Sequence, residues 1–177
     1  MEQAYRVELG AILDDLGGQI SLTEEVSLEP MIIGSETFTP VAPAQLSVSL
    51  TNTGAGVVVQ GTVAVDLKAT CVRCLCEFTL HSLGEVEGFY ISPSHAKQLP
   101  EEQEYELIHD RSIDLMPALL AALTIDLPFA PVHDEGCAGI CPKCGADRNV
   151  VSCHCADEVA DTPFGALRDL LSAQDPH

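Results

Sequence analysis

The sequence predicts an α+β fold: a mainly antiparallel β domain with one packed helix, followed by a zinc-binding, cysteine-rich loop and a short helix. Three observations indicate this fold. Apolar and polar residues alternate over much of the first half of the chain, one later segment is apolar nearly all round, and the 8 cysteines form two tight groups. We place the β domain with its helix at residues 1–131 and the cysteine-rich part at residues 132–177.

The first half of the chain, roughly residues 1–91, shows the period of two that is typical of half-buried strands. A short run covers Tyr5 to Leu9. Leu46 to Leu50 and Val57 to Leu67 flank a glycine-containing turn and therefore predict an antiparallel hairpin. Alternation continues from Glu77 to Tyr90, where two glycines indicate bends or a bulge.

The segment that follows predicts a loop and then two helices. Residues 92–111 are rich in glutamate, which favours a solvated loop, or else an acidic surface for a basic partner. Beyond it, Ile113 to Leu127 is apolar nearly all round, so we predict a buried helix at residues 113–126. After the cysteines, Pro163 begins a short amphipathic helix from Phe164 to Leu171.

Charge and composition exclude several classes of protein. The 177 residues are 46% hydrophobic, which is enough for one ordinary core. With 27 acidic and 8 basic residues the net charge is -19, so bare nucleic acid is repelled unless a local basic site overcomes the field. The first residues lack the features of a secretory signal, and no apolar run is long enough for a membrane span. We therefore expect a cytoplasmic protein whose thiols stay reduced.

The C-terminal cysteines form the most specific motif. Cys141 and Cys144 lie three positions apart on a tight turn before Gly145, where both thiolates can bind one ion. Cys153 and Cys155 follow and can supply two more ligands, which completes a tetrahedral four-thiolate site. We favour zinc over an iron–sulfur cluster because such knuckle pairs most often hold structural zinc.

A second Cys-x-x-Cys pair, Cys71 and Cys74, lies between two predicted strands. Redox chemistry of the thioredoxin type needs such a pair to open a helix, which the flanking alternation does not favour. If the pair is half of a metal site, the ligands left over by the first site are His133 and Cys137. The sequence thus predicts a second zinc site from these four residues, with Cys76 unassigned.

Alternatives stay open for these cysteines. Cys137 can instead belong to the knuckle, which would leave Cys153 or Cys155 spare. A thiol redox sensor or oxidoreductase using Cys71 and Cys74 is the rival function, and a carrier that passes zinc to another protein is a third. The chain has no glycine-rich phosphate loop, nucleophile elbow or recognisable carboxylate pair, so we expect no enzyme and no small-molecule substrate.

The order of these motifs resembles the YceD family, bacterial and plastid proteins named for large ribosomal RNA subunit accumulation. The resemblance covers roughly residues 45–172. The elements that carry it are Thr70 to Leu75 with Phe78, the Asp114-Leu115 opening of the apolar helix, Pro131-Val132-His133, the run from Cys137 to Gly145, and Pro163 to Leu167.

This resemblance implies a non-catalytic factor that acts on the precursor of the large ribosomal subunit. Many family members carry cysteine at the place of His133. Others keep the pair at Cys71 and Cys74 but lack the later motif from Cys141 to Cys155, which supports two separate sites. The acidic charge favours a basic ribosomal protein as the partner. Direct contact with ribosomal RNA would require Arg73, Lys143 and Arg148 to cluster on one face.

Overall fold

The structure, a computed structural model, describes residues 4–96 and 104–155. Within these residues it contains a 3-10 helix at Gly10–Asp14, one α-helix and nine strands. The strands and the α-helix are, in chain order, β1 Arg6–Glu8, β2 Gln19–Val26, β3 Met31–Ile33, β4 Glu36–Pro40, β5 Ala44–Asn52, β6 Val57–Thr70, β7 Glu77–Ile91, β8 Glu106–Leu107, β9 Ser112–Asp114 and α1 Met116–Asp126.

Strand β6 is the centre of a seven-stranded sheet. On one edge it pairs with β5 and then, near its end, with β4; on the other edge it pairs with β7 along its whole length. Strand β2 adds to β5, β3 adds to β4, and β8 adds to the end of β7 as the one parallel pair among the described strands. The predicted antiparallel architecture and the β5–β6 hairpin are confirmed.

Three strands lie in a region for which no strand was predicted. The region from Gln19 to Pro40, which we interpreted only as acidic and proline-punctuated, forms β2, β3 and β4. Only Val26 of β2 is buried, so the strand carries little hydrophobic pattern of its own. Its pairing with β5, over eight residues, defines it instead.

The predicted helix begins later than expected. Residues Ser112–Asp114 form β9, which pairs with β1, and α1 begins at Met116. The carboxylate of Asp114 accepts hydrogen bonds from the backbone N–H groups of Tyr5 and Met116, at 2.8 and 3.0 Å, and so joins the strand pair to the helix start. Expecting the whole helix to be buried was also wrong, since its Ile125 side chain is 86% exposed.

Gly84 and Gly88 were predicted to mark bends or a bulge, and the bulge is not found in the pairing of β6 with β7. Pairing between β6 and β7 runs without a break from Val57 opposite Tyr90 to Thr70 opposite Glu77. Gly84 has a different role, because a Cβ there would lie 2.7 Å from the backbone carbon of Ala122. The glycine therefore allows α1 to pack directly on the strand.

The glutamate-rich segment is not entirely loop, since its described part includes β8. The predicted helix from Phe164 to Leu171 lies outside the described residues, and the domain boundary after residue 131 stays a prediction. In the part of the chain that the structure describes, every helix is too short or too polar to cross a bilayer.

Candidate metal centres

The turn between β6 and β7 holds the first pair of cysteines. The backbone N–H of Cys71 donates to the carbonyl of Cys76, and that of Leu75 donates back to the carbonyl of Cys71, both at 2.9 Å. Leu75 adopts a left-handed conformation with φ 62°. This tight turn brings Cys71 and Cys74 together on one side of the end of the β6–β7 hairpin.

The segment that follows α1 carries two further ligands to this turn. It is held there by a hydrogen bond from the Val72 N–H to the Pro131 carbonyl at 2.9 Å. As a result, Cys71 Sγ lies 3.8 Å from Cys137 Sγ, and Cys74 Sγ lies 3.4 Å from His133 Nδ1. We call the group Cys71, Cys74, His133 and Cys137 the hairpin site; all four ligand atoms lie within 4.8 Å of one another.

The geometry of the hairpin site fits zinc. Tetrahedral zinc with Zn–S bonds of about 2.3 Å places its sulfurs about 3.8 Å apart, the separation found between Cys71 and Cys137. The three cysteines are buried and His133 is exposed. Cys76 Sγ lies 3.1 Å from Cys74 Sγ but does not belong to the four-ligand group.

The second group, Cys141, Cys144, Cys153 and Cys155, forms what we call the C-terminal site, and its sulfurs also lie within 4.8 Å of one another. Its turn repeats the one between β6 and β7. The Cys141 N–H donates to the Ala146 carbonyl and the Gly145 N–H to the Cys141 carbonyl, both at 2.8 Å. Gly145, with φ 72°, occupies the left-handed position that Leu75 occupies in the other turn. Here only Cys141 is buried.

Polar contacts connect the two groups. The Ile140 N–H donates to the Arg73 carbonyl at 2.9 Å, and the Arg73 guanidinium donates to the carbonyls of Glu135 and Cys137 at 2.8 and 3.2 Å. The Asn149 side chain donates to Cys137 Sγ at 3.4 Å. Each site thus receives support from the loop that carries the other.

Hydrogen bonding favours the thiolate at the first cysteine of each turn. Burial raises the pKa of Cys71, but hydrogen bonds from His133 and from the Cys74 and Arg73 N–H groups outweigh it and lower that pKa to about 5. The backbone N–H groups of Cys144 and Lys143 lower the pKa of Cys141 to about 6. Since the thiolate is the form that binds metal, both turns are arranged for coordination.

Other cysteines show the opposite effect. The pKa of Cys155 is raised to about 12, first by its hydrogen bond with Cys144 and then by burial. Burial raises the pKa of Cys137, against which the hydrogen bond from Asn149 acts. A shared cation would lower the pKa of cysteines that lie this close together, because a bound ion favours deprotonation of its ligands.

The structure therefore places all eight candidate ligands in the two groups of four, with Cys137 in the hairpin site rather than in the C-terminal site. Sequence reasoning missed the supporting residues Arg73 and Asn149, for which no motif gives a signal. It also missed the equivalence of the two turns, which the shared Cys-x-x-Cys spacing followed by Leu75 or Gly145 could have indicated.

Comparison with known proteins gives the family. The sequence model described as "Large ribosomal RNA subunit accumulation protein YceD" matches residues 59–171. The chain belongs to the YceD family. The matched range includes the turn between β6 and β7, α1 and all eight candidate ligands. The family is described by RNA accumulation and not by a catalysed reaction.

Individual relatives agree with this family. An uncharacterized protein of Mycobacterium leprae is 32% identical over 136 residues, which cover 76% of this chain and 62% of the relative. A second uncharacterized protein, from Mycobacterium bovis, is 34% identical over 120 residues, which cover 67% of this chain and 58% of the relative. A chloroplastic YCED homolog 1 of Arabidopsis thaliana, named for large ribosomal RNA subunit accumulation, is 30% identical over 34% of this chain and 19% of its own. No solved structure gives a significant match.

Proposed function

We propose that this YceD-family protein is a cytoplasmic, non-catalytic zinc-binding factor in the biogenesis of the large ribosomal subunit. The observation that carries the proposal is the coincidence of the family match with two complete four-ligand groups inside the matched residues. The family description points to the accumulation of large-subunit RNA. With metal bound, the two ligand groups would stabilise one end of a protein that acts by binding a partner.

Zinc has a structural role in this proposal. Each group offers four protein ligands, whereas catalytic zinc sites keep one position for water or substrate. Cys71, Cys74, His133 and Cys137 would hold one ion, and Cys141, Cys144, Cys153 and Cys155 the other. The ions would fix residues 131–155 against the turn between β6 and β7.

Charge favours a basic ribosomal protein over RNA as the direct partner. A net charge of -19 repels phosphate and attracts a cationic protein surface. Of the three cations that RNA binding would need, Arg73 already contacts two backbone carbonyls and Arg148 contacts Cys141 Sγ at 3.9 Å. The guanidinium groups of both arginines therefore already have hydrogen-bond partners within the protein.

Depletion and complementation test the proposal. Cells lacking this chain should accumulate less large-subunit ribosomal RNA relative to small-subunit RNA, and the intact gene should restore the ratio. A variant with Cys141→Ser and Cys144→Ser should restore it less well, while Cys76→Ser should restore it fully. An unchanged RNA ratio in depleted cells would contradict the proposed function.

A pull-down with and without nuclease separates the two partners. A basic ribosomal protein retained after nuclease treatment supports the proposed contact, whereas loss of all ribosomal material would assign the contact to RNA. Salt dependence gives a second criterion, since RNA binding weakens steeply with the number of phosphates contacted.

The rival redox function predicts a different thiol reactivity. Cys71 is fully buried, and its pair lies in a turn between strands and not at a helix N-terminus. With zinc bound, ligated cysteines should alkylate only after chelation. Rapid alkylation of Cys71 or Cys74 in the zinc-loaded protein would favour the redox function instead.

A further inference from the structure

A groove runs between α1 and the outer edge of β7. Two adjoining cavities of about 710 and 560 Å³ form it, and they share Glu87, Glu104, Ala118 and Ala121 as lining residues. It lies on the opposite edge of β7 from β6 and involves none of the candidate metal ligands. The metal sites therefore do not account for it.

The β7 side of the groove is a strand edge with hydrogen-bonding groups. The Leu83 N–H donates outward to the Asp126 carboxylate at 3.1 Å, and the Ile91 carbonyl accepts outward from the Ile108 N–H at 2.8 Å. Because residues two apart in an antiparallel strand face the same way, the backbone groups of Glu85 and Glu87 also point outward. Among the described strands, none pairs with them, since β8 begins its pairing only at Tyr90.

The α1 side of the groove supplies an apolar wall. Ala118, Ala121, Ala122 and Ile125 follow the i, i+3, i+4, i+7 spacing and so form one stripe of the helix. Three of these positions are alanines, whose small side chains leave the groove open. The Ile125 side chain lies at one end of the groove and is largely exposed. Apolar side chains of this kind at the surface are typical of an interaction site when polar residues rim them.

The rim of the groove is acidic. Glu85, Glu87, Glu104 and Asp126 line the larger cavity, and Glu106 lines the smaller one; neither cavity has a Lys or Arg among its lining residues. A free strand edge beside an apolar wall and carboxylates matches one kind of ligand: an extended segment that alternates basic and apolar side chains.

We propose that the β7 edge from Glu85 to Phe89 binds an extended, lysine- and arginine-rich segment of a basic protein as an added strand. The backbone groups of Glu85 and Glu87 pair with the segment, its apolar side chains contact the α1 stripe, and its cations face the carboxylates. This inference rests on the proposed function for the identity of the partner as a ribosomal protein, but the binding itself is testable without cells.

The test uses the zinc-loaded full chain and a labelled synthetic peptide that alternates lysine and valine. Fluorescence anisotropy should show saturable binding, and hydrogen exchange should slow at the Glu85 and Glu87 amides when the peptide is added. Ala121→Phe, which fills the groove at an exposed helix position without changing charge, should weaken binding about tenfold. The paired charge reversals Glu87→Lys and Glu104→Lys should weaken it at least as much.

Two controls make the result decisive. Glu8→Lys with Glu25→Lys gives the same change of net charge on exposed strand positions outside the groove and should leave affinity within about twofold. A peptide of the same composition with N-methylated backbone amides should bind poorly. Equal loss with both pairs of charge reversals, or exchange protection absent at Glu85 and Glu87, would overturn the proposal. Protection that grows with protein concentration in the absence of peptide would assign the edge to a second copy of the chain and overturn it as well.

Failure here and failure of the proposed function are distinguishable. If groove variants lose the peptide but still restore large-subunit RNA in depleted cells, the docking site stands and its role in ribosome assembly does not. If the peptide fails to bind while depletion still lowers the RNA, the proposed function stands and this docking site does not.

Discussion

Asn149 donates a hydrogen bond from its side-chain nitrogen to Cys137 Sγ at 3.4 Å, so the loop of the C-terminal site contacts a ligand of the hairpin site. Its side-chain oxygen accepts from the Ala138 N–H at 2.8 Å, which fixes the amide in this orientation. Hydrogen bonds of this kind orient a ligand and stabilise thiolate charge. The two candidate metal sites therefore act as one structural unit.

Replacing this amide should weaken zinc binding at the hairpin site although no ligand changes. For Asn149→Ala we expect a loss of about tenfold in affinity, the lower end of the effect of residues that support metal ligands. Competition with a chromophoric chelator measures it, with Ser152→Ala, an exposed change in the same loop, as the control. Equal affinity in both variants would show that the Asn149 contact has no energetic weight.

Ligand and non-ligand cysteines should separate in zinc content. Cys74→Ser should reduce bound zinc by one ion per chain, because it removes one of four ligands at the hairpin site. Cys76→Ser, 3.1 Å away, should retain both ions. Metal analysis after gel filtration gives the ratio, and loss of zinc from the Cys76 variant alone would reassign the site.

The two equivalent turns should respond differently to alanine. At Gly145, φ is 72° and no atom would contact a Cβ within 4 Å, so Gly145→Ala adds only backbone strain. We expect it to cost about 1 kcal/mol, or roughly a fivefold loss in zinc affinity at the C-terminal site. Leu75→Ala should be close to neutral, because Leu75 already has a positive φ and is 61% exposed. Similar losses in both variants, measured by chelator competition, would contradict this explanation.

Close packing of α1 predicts a difference between two glycines of β7. Gly84→Ala forces a Cβ against the backbone of Ala122 and should destabilise the fold by about 1–3 kcal/mol in urea unfolding. At Gly88 the nearest atom is Cε2 of the Tyr90 ring, at 2.7 Å, and a ring can move more easily than a helix backbone. Gly88→Ala should therefore cost less; a larger cost than Gly84→Ala would show that the helix is not the constraint.

Zinc removal should loosen one end of the molecule and leave the sheet intact. Cys71, Cys74 and Cys137 form a small buried cluster of their own, separate from the main core of β5–β7 and α1. Hydrogen exchange after chelation should speed up in residues 71–76 and 131–155 and stay slow in β6. Exchange that becomes fast throughout β6 would mean that the metal sites hold the whole fold.

How much the sequence predicted depended on whether the signal was local. The β5–β6 hairpin and β7 show clear alternation, and each predicted strand is present. Strand β2 was missed because its partner β5 determines it, and the exposure of Ala121 and Ile125 on α1 was missed because an alanine-rich sequence does not show which side will face solvent. Only the packing on Gly84 reveals that side.

The candidate site divides in the same way. Cysteine spacing predicted both Cys-x-x-Cys pairs, since a tight turn is a local feature, and His133 and Cys137 were inferred only as the ligands that the C-terminal site leaves over. The contacts of Arg73 and Asn149 join segments more than sixty and about a dozen residues apart, respectively, and depend on how the chain folds back. No spacing rule reports such contacts.

X-ray absorption at the zinc edge tests the central claim most directly, because it reads the ligands of the bound metal in the intact chain. We expect two zinc ions per chain that together have seven sulfur ligands and one nitrogen ligand, from seven cysteines and His133. A freshly purified chain with no bound zinc, and with all 8 cysteines open to thiol reagents, would contradict it.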